Sequence, residues 1–130
     1  MSASQEESRD SSSPDAAALP AFSALAEGDF HARLAASGIA VVLFGAPHCR
    51  ACRAWKRLLP DALSALAHAF FEVDVGEATG VARYFGIFHL PTVYLYRDGR
   101  FHAELQCEAR QEVSHETARQ LLAAPPQDEP

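Results

Sequence analysis

The chain reads as an α/β domain with a central mixed β-sheet flanked by helices on both faces. Three stretches carry that reading. IAVVLF, Ile39 to Phe44, is an unbroken aliphatic and β-branched run, the pattern of a strand covered on both faces. Trp55, Leu59, Leu63 and Leu66 then recur at helical spacing, so a helix follows the strand directly. TVYLY and FHAEL flank the turn RDGR, whose Asp98-Gly99 pair is a strong hairpin signal. A helical crossover joins parallel strands and a tight turn joins antiparallel ones, so strand, helix, strand, hairpin and closing helix give a mixed sheet.

From the N-terminus, MSASQEESRDSSSPDAAALP is rich in Ser, Ala and acidic residues and lacks apolar periodicity, so residues 1–20 are expected to be disordered. The folded domain is expected over residues 21–124, with residues 125–130 a disordered tail. Within the domain, Asp29 stands where it can cap a short helix whose apolar face carries Phe30 and Leu34, ended by Gly38. The buried strand Ile39–Phe44 follows. The next helix is expected from Arg50 to about Ala69, kinked by Pro60. FFEVDV, Phe70 to Val75, is the second strand of this pattern, and a short helix lies near Glu77–Phe85. The hairpin strands Thr92–Tyr96 and Phe101–Leu105 precede a last helix from about Val113 to Leu122.

At 130 residues the chain amounts to one domain, and a hydrophobic content of 48% suffices for an ordinary core. A formal charge of −6 leaves no electrostatic footprint for nucleic acid or anionic lipid. The longest apolar runs fall far short of the roughly 20 residues that a membrane-spanning helix needs. Neither nucleic acid nor a membrane is therefore expected as a partner. No basic segment leading into an apolar one opens the chain, so a cytoplasmic protein is expected. In that compartment thiols are kept reduced, and paired cysteines serve catalysis, redox sensing or metal binding more often than structure.

The pair Cys49-Arg50-Ala51-Cys52 sits where the buried strand gives way to a helix. There the first thiol meets the unpaired backbone N–H groups and positive dipole end of the helix, which favour a thiolate over a thiol. The second thiol lies one turn along. Two intervening residues bring the sulfurs within bonding range, a spacing suited to reversible two-electron exchange.

These residues belong to a longer pattern. FGAPHCRAC resembles the active-site segment of the thioredoxin family, FFEVDVGE resembles its third strand, and YFGIFHLPTVYLYRDGR resembles the segment holding its cis-proline and following hairpin. The likeness runs over residues 22–122. It implies a thioredoxin-like fold and thiol:disulfide exchange on protein substrates through a redox-active disulfide Cys49–Cys52, contributing to cell redox homeostasis. Cys49 is the implied nucleophile and Cys52 the resolving thiol. His48, His89, Leu90 and Pro91 are the implied substrate-binding residues, with Pro91 in cis beside the sulfurs and the Leu90 backbone free to pair with an extended substrate. The implied partners are protein thiols or disulfides and a reducing or oxidising redox partner. No cofactor is called for, and a monomer is expected.

Four positions depart from the family pattern. His48 stands in place of the usual Trp, Arg50-Ala51 in place of Gly-Pro, and Pro60 about one turn later than the kinking proline. Leu43 replaces the buried Asp that takes the resolving thiol's proton, which weakens the favoured direction, that of a reductase. Arg50 and a protonated His48 favour the thiolate and make the disulfide more oxidising. Glu72 on the neighbouring strand is a candidate substitute for the missing carboxylate; an ion-paired or solvated Glu72 is the plainer reading. Cys107 is either a half-buried small residue or an additional redox thiol. His31, His68, His102 and His115 read as surface residues. One CxxC supplies two ligands where zinc needs four, so no metal is expected. The alternative to an enzyme is a thioredoxin-like adaptor or chaperone-like binding module with little turnover.

Overall fold

The structure is a computed structural model and describes residues 22–87 and 89–130. The expected disordered segment, residues 1–20, lies outside the described residues. Five strands form one sheet: β1 (Phe22–Ala24), β2 (Ile39–Gly45), β3 (Ala69–Asp74), β4 (Thr92–Arg97) and β5 (Arg100–Glu104), in the order β1-β3-β2-β4-β5. Four α-helices connect or close it: α1 (Phe30–Ala35), α2 (Arg50–Leu63), α3 (Thr79–Phe85) and α4 (Gln111–Ala123). β3 is parallel to both β1 and β2, whereas β4 is antiparallel to both β2 and β5. The sheet is mixed, as its connections require.

β2 is central, and its alternation splits the core in two. Ala40, Val42 and Phe44 pack on one face with Phe30 and Leu34 of α1 and Phe85 of α3. Val41 and Leu43 pack on the other with Leu59 and Leu63 of α2 and Ala118 and Leu122 of α4. Every residue from Ala40 to Phe44 is buried, which is why the strand reads as continuous apolar sequence instead of alternating. The first face is aromatic: Phe44 meets Tyr94 edge-on at 5.1 Å, and Tyr94 meets Phe101 at 4.9 Å.

The structure departs from the sequence reading at several places. β1 was not expected; three residues are too few to show a strand period. Asp29 occupies the N-cap position of α1, but its carboxylate accepts from the Ala26 N–H at 3.0 Å, closing the preceding 3-10 turn rather than capping the helix. α2 ends at Leu63, well short of Ala69, because the backbone turns there (Leu66 N–H to the Leu63 carbonyl, 2.9 Å) and Ala69 already opens β3. Pro60 lies within α2, and the helix runs on past it for three residues. α4 begins at Gln111. Nor is the end of the chain wholly loose: the Gln127 N–H donates to the His102 carbonyl at 2.7 Å, and the Gln127 side-chain oxygen accepts from the Glu104 N–H at 3.1 Å.

Two histidines expected on the surface are structural. His102 is buried, and its Nε2 lies 2.8 Å from the Leu121 carbonyl and 3.0 Å from that of Ala124. His115 is half-buried with Nδ1 3.0 Å from the Ala62 carbonyl, joining α4 to α2.

Candidate functional site

β2 delivers the chain to its C-terminal edge at Gly45, and a short turn, closed by the Cys49 N–H donating to the Ala46 carbonyl at 3.2 Å, carries it into α2. Cys49 is the N-cap of that helix, with extended backbone. Its sulfur accepts from the Cys52 N–H at 3.0 Å, so a disulfide sulfur does what a Ser or Asp oxygen does at other helix starts. Cys49 and Cys52 are joined by a disulfide across a Cα–Cα distance of 5.2 Å. Cys49 is half-buried and Cys52 buried, so Cys49 is the more exposed member of the pair. Gly45 makes the close packing possible: a Cβ there would sit 3.1 Å from both Cβ and Sγ of Cys52.

The first turn of α2 contains no acidic residue. Arg50 is exposed, and among the described residues its guanidinium has no partner. The Arg53 guanidinium donates to the Pro47 carbonyl at 2.9 Å, tying the helix to the turn before it.

Behind Cys52 lies a cleft of about 720 Å³, lined among others by Leu43, Gly45, Cys52, Arg53, Lys56 and Glu72. Leu43 belongs to the core face that receives α2. Glu72 is its cross-strand partner on β3 and projects to the same face. Its carboxylate accepts from Lys56 Nζ at 2.9 Å, an ion pair whose side chains are 35% and 46% exposed respectively. Such half-solvated pairs contribute about 0–1 kcal/mol. The sequence reading singled out Glu72 and missed Lys56. The spacing held the signal, since Lys56 is one helical turn beyond Cys52 on the same side of α2.

On the opposite side of β2, Phe44 pairs with Thr92, so the next residues in register are Gly45 and Pro91. The Leu90–Pro91 bond is cis. Among the described residues the Leu90 backbone has no hydrogen-bond partner. The His89 carbonyl is taken by the Thr92 hydroxyl at 2.8 Å, and the His48 and His89 side chains are exposed without a hydrogen bond to the cysteine pair. Cys107 is a free, half-buried thiol packed against the α2–α4 side of the core, its Sγ 3.7 Å from the Ser114 hydroxyl. Among the described residues no group of three or more His, Cys, Asp or Glu side chains could hold a metal ion, and no helix is long and apolar enough to cross a membrane.

A mixed sheet with a disulfide-forming CxxC at a strand-to-helix junction, and a cis-proline opening the adjacent strand, defines a thioredoxin-fold protein with a redox-active cysteine pair, consistent with thiol:disulfide exchange. The chain belongs to the thioredoxin family, whose pattern it matches over residues 21–119. Thioredoxin-like proteins act on protein thiols and disulfides. No curated protein matches the chain in sequence. Among solved structures it is similar to the zinc-bound form of human ERp44, with 20% identity, a TM-score of 0.67, and coverage of 76% of this chain and 31% of that one. It is also similar to oxidised mitochondrial thioredoxin 3 from Saccharomyces cerevisiae, with 19% identity, a TM-score of 0.63, and coverage of 79% of this chain and 95% of that one. At these identities the likeness is one of fold, and the chain spans less than a third of ERp44.

The expectation of a cytoplasmic protein does not stand. The solved structures that share the fold include human ERp44 and a mitochondrial thioredoxin, so the fold and its cysteine pair carry no cytoplasmic address.

Proposed function

We propose that residues 21–124 form a protein-disulfide oxidoreductase domain in which Cys49 attacks and Cys52 resolves. In the reducing direction, the Cys49 thiolate attacks a substrate disulfide, forms a mixed disulfide and expels one substrate thiolate. Cys52, deprotonated, then attacks Cys49 and expels the second. Two electrons pass from the protein dithiol to the substrate, both leaving thiolates take up protons, and the Cys49–Cys52 disulfide remains for a dithiol partner to reduce. The single observation behind this reading is the asymmetry of the disulfide: a half-buried cysteine at the N-cap of α2 and a buried one a turn later.

His48, His89, Leu90 and Pro91 are the proposed substrate side of the site, supported by the unpartnered Leu90 backbone beside the β2 terminus. Arg50 is proposed to favour the Cys49 thiolate. Turnover as a reductase is proposed to be slow, because Leu43 offers Cys52 no proton acceptor and Glu72, its β3 partner, is half-solvated and shared with Lys56, which makes it a weak one. Trapping tests the mechanism. Cys52→Ser should accumulate mixed disulfides with protein substrates, and Cys49→Ser should accumulate none. Wild-type protein should reduce insulin well below the rate of an ordinary thioredoxin. Absence of trapped adducts, with function in the cell retained by the Cys49→Ser/Cys52→Ser variant, would leave an adaptor instead.

A further inference from the structure

The first two turns of α2 carry Arg50, Arg53 and Arg57, and the turn after them carries Asp61. At 100° per residue the three arginines fall within one narrow stripe, opposite the buried side marked by Cys52, Leu59 and Leu63. Their placement runs against local electrostatics. A helix N-terminus is stabilised by acidic side chains and destabilised by cations in its first turn, where Arg50 stands. Nothing within the described residues offsets this: Arg50 and Arg57 have no ion-pair partner, and Arg53 meets only a backbone carbonyl. Asp61, the first carboxylate on this face, is turned to the Gln111 amide at 3.5 Å. The other cation of the segment, Lys56, lies outside the stripe and is neutralised by Glu72. The chain as a whole carries −6. A net-negative protein has thus concentrated positive charge, without an ion-pair partner among the described residues, on the helix that begins at its cysteine pair.

We infer that this arginine stripe is a docking surface for an acidic polypeptide, one that carries Asp or Glu residues close to the cysteine that Cys49 attacks. The inference rests on the exchange reaction proposed above and adds its substrate class. The stripe extends about 10 Å along the helix axis. An extended peptide covers that distance in three or four residues at about 3.3 Å each, so the surface suits a run of carboxylates rather than one small anion. Opposed charge raises the encounter rate more than the lifetime of the complex, and the effect is screened by salt.

The test uses the full chain, reduced with dithiothreitol and freed of excess reductant, in single-turnover reaction. In each reaction one protein dithiol and one peptide disulfide become one protein disulfide and two peptide thiols. The probes are two homodimeric disulfide peptides of equal length, one with Glu on both sides of its cysteine and the other with Lys, and the neutral bis(2-hydroxyethyl) disulfide. The Glu peptide is expected to react about tenfold faster than the Lys peptide at low ionic strength, with the difference vanishing near 1 M salt, where the Debye length is about 3 Å. Arg53→Glu/Arg57→Glu should invert the preference, and Arg53→Lys/Arg57→Lys should keep it. Circular dichroism and formation of the Cys49–Cys52 disulfide establish that each variant is folded. Equal rates for both peptides, or a preference that survives high salt or charge reversal, overturn the docking surface and leave the exchange reaction intact. No reaction with any of the three disulfides overturns the exchange reaction itself, and the docking surface with it.

Discussion

Gly45 shows how tightly one residue can govern a reactive pair. The space its missing side chain leaves is already filled by Cys52, so a larger residue must push the start of α2 away from the sheet. Gly45→Val is expected to destabilise the fold by about 1–3 kcal/mol, the usual cost of overpacking, and to slow closure of the Cys49–Cys52 disulfide; denaturant titration and thiol-quench kinetics read the two effects. Glu72 poses a different question, because it has two possible duties. As a proton acceptor for Cys52 it speeds resolution of the mixed disulfide; as counter-ion to Lys56 it suppresses a cation that would favour the Cys52 thiolate. Glu72→Gln is expected to lengthen the life of the mixed disulfide about tenfold, below the 10²–10⁴ of a fully engaged general base because the carboxylate is half-solvated. A shortened lifetime would assign Glu72 to Lys56 alone. At this scale the sequence was legible where chemistry is local. The CxxC and Pro91 announce themselves within short motifs, whereas the Gly45–Cys52 contact and the Lys56–Glu72 pair depend on how a helix settles on two strands.

Among the elements, those with strong internal signals were legible and those defined by their neighbours were not. The hairpin is the clearest case. Asp98 and Gly99 both take positive φ, 52° and 84°, as a two-residue turn between twisted strands demands. Gly99 also passes close under α1, where a Cβ would lie 2.7 Å from the Ala35 Cα. The end of α2 was misjudged because Leu66 continues the apolar spacing past Leu63, although it packs beside the core from a turn. The C-terminus of α4 is held by groups no linear pattern could reveal. His102 reaches the carbonyls of Leu121 and Ala124 from β5, and Arg97 donates to that of Leu122 at 2.9 Å from β4. These bonds supply the partners that the last turn of any helix lacks. His102→Leu leaves the Ala124 carbonyl without its donor and the Leu121 carbonyl with only the Ala124 N–H at 3.3 Å, and is expected to cost about 1–3 kcal/mol, with earliest loss of amide protection in α4 by hydrogen exchange.

For the molecule as a whole, the two-faced core and mixed sheet followed from the order of elements, and the address did not, since no residue pattern within the fold encodes a compartment. The aromatic face also sets a limit on alkaline stability. Burial, with smaller contributions from Glu104 and Glu129, raises the Tyr94 hydroxyl from 10.0 to about 12, and Tyr96 shifts in the same direction. A group whose pKa is raised by folding stabilises the native state fully below its unfolded value and progressively less as pH climbs to the folded one. Stability is therefore expected to decline between pH 10 and about 12, and Tyr94→Phe should flatten that decline in chemical denaturation measured across the range. The main-chain and side-chain bonds from Gln127 to β5 have a consequence of another kind. They occupy the hydrogen-bonding rim of the outermost strand, where a foreign chain would otherwise zip on. The last few residues thus act as a selvedge, finishing the woven border so that the fabric does not extend into its neighbours.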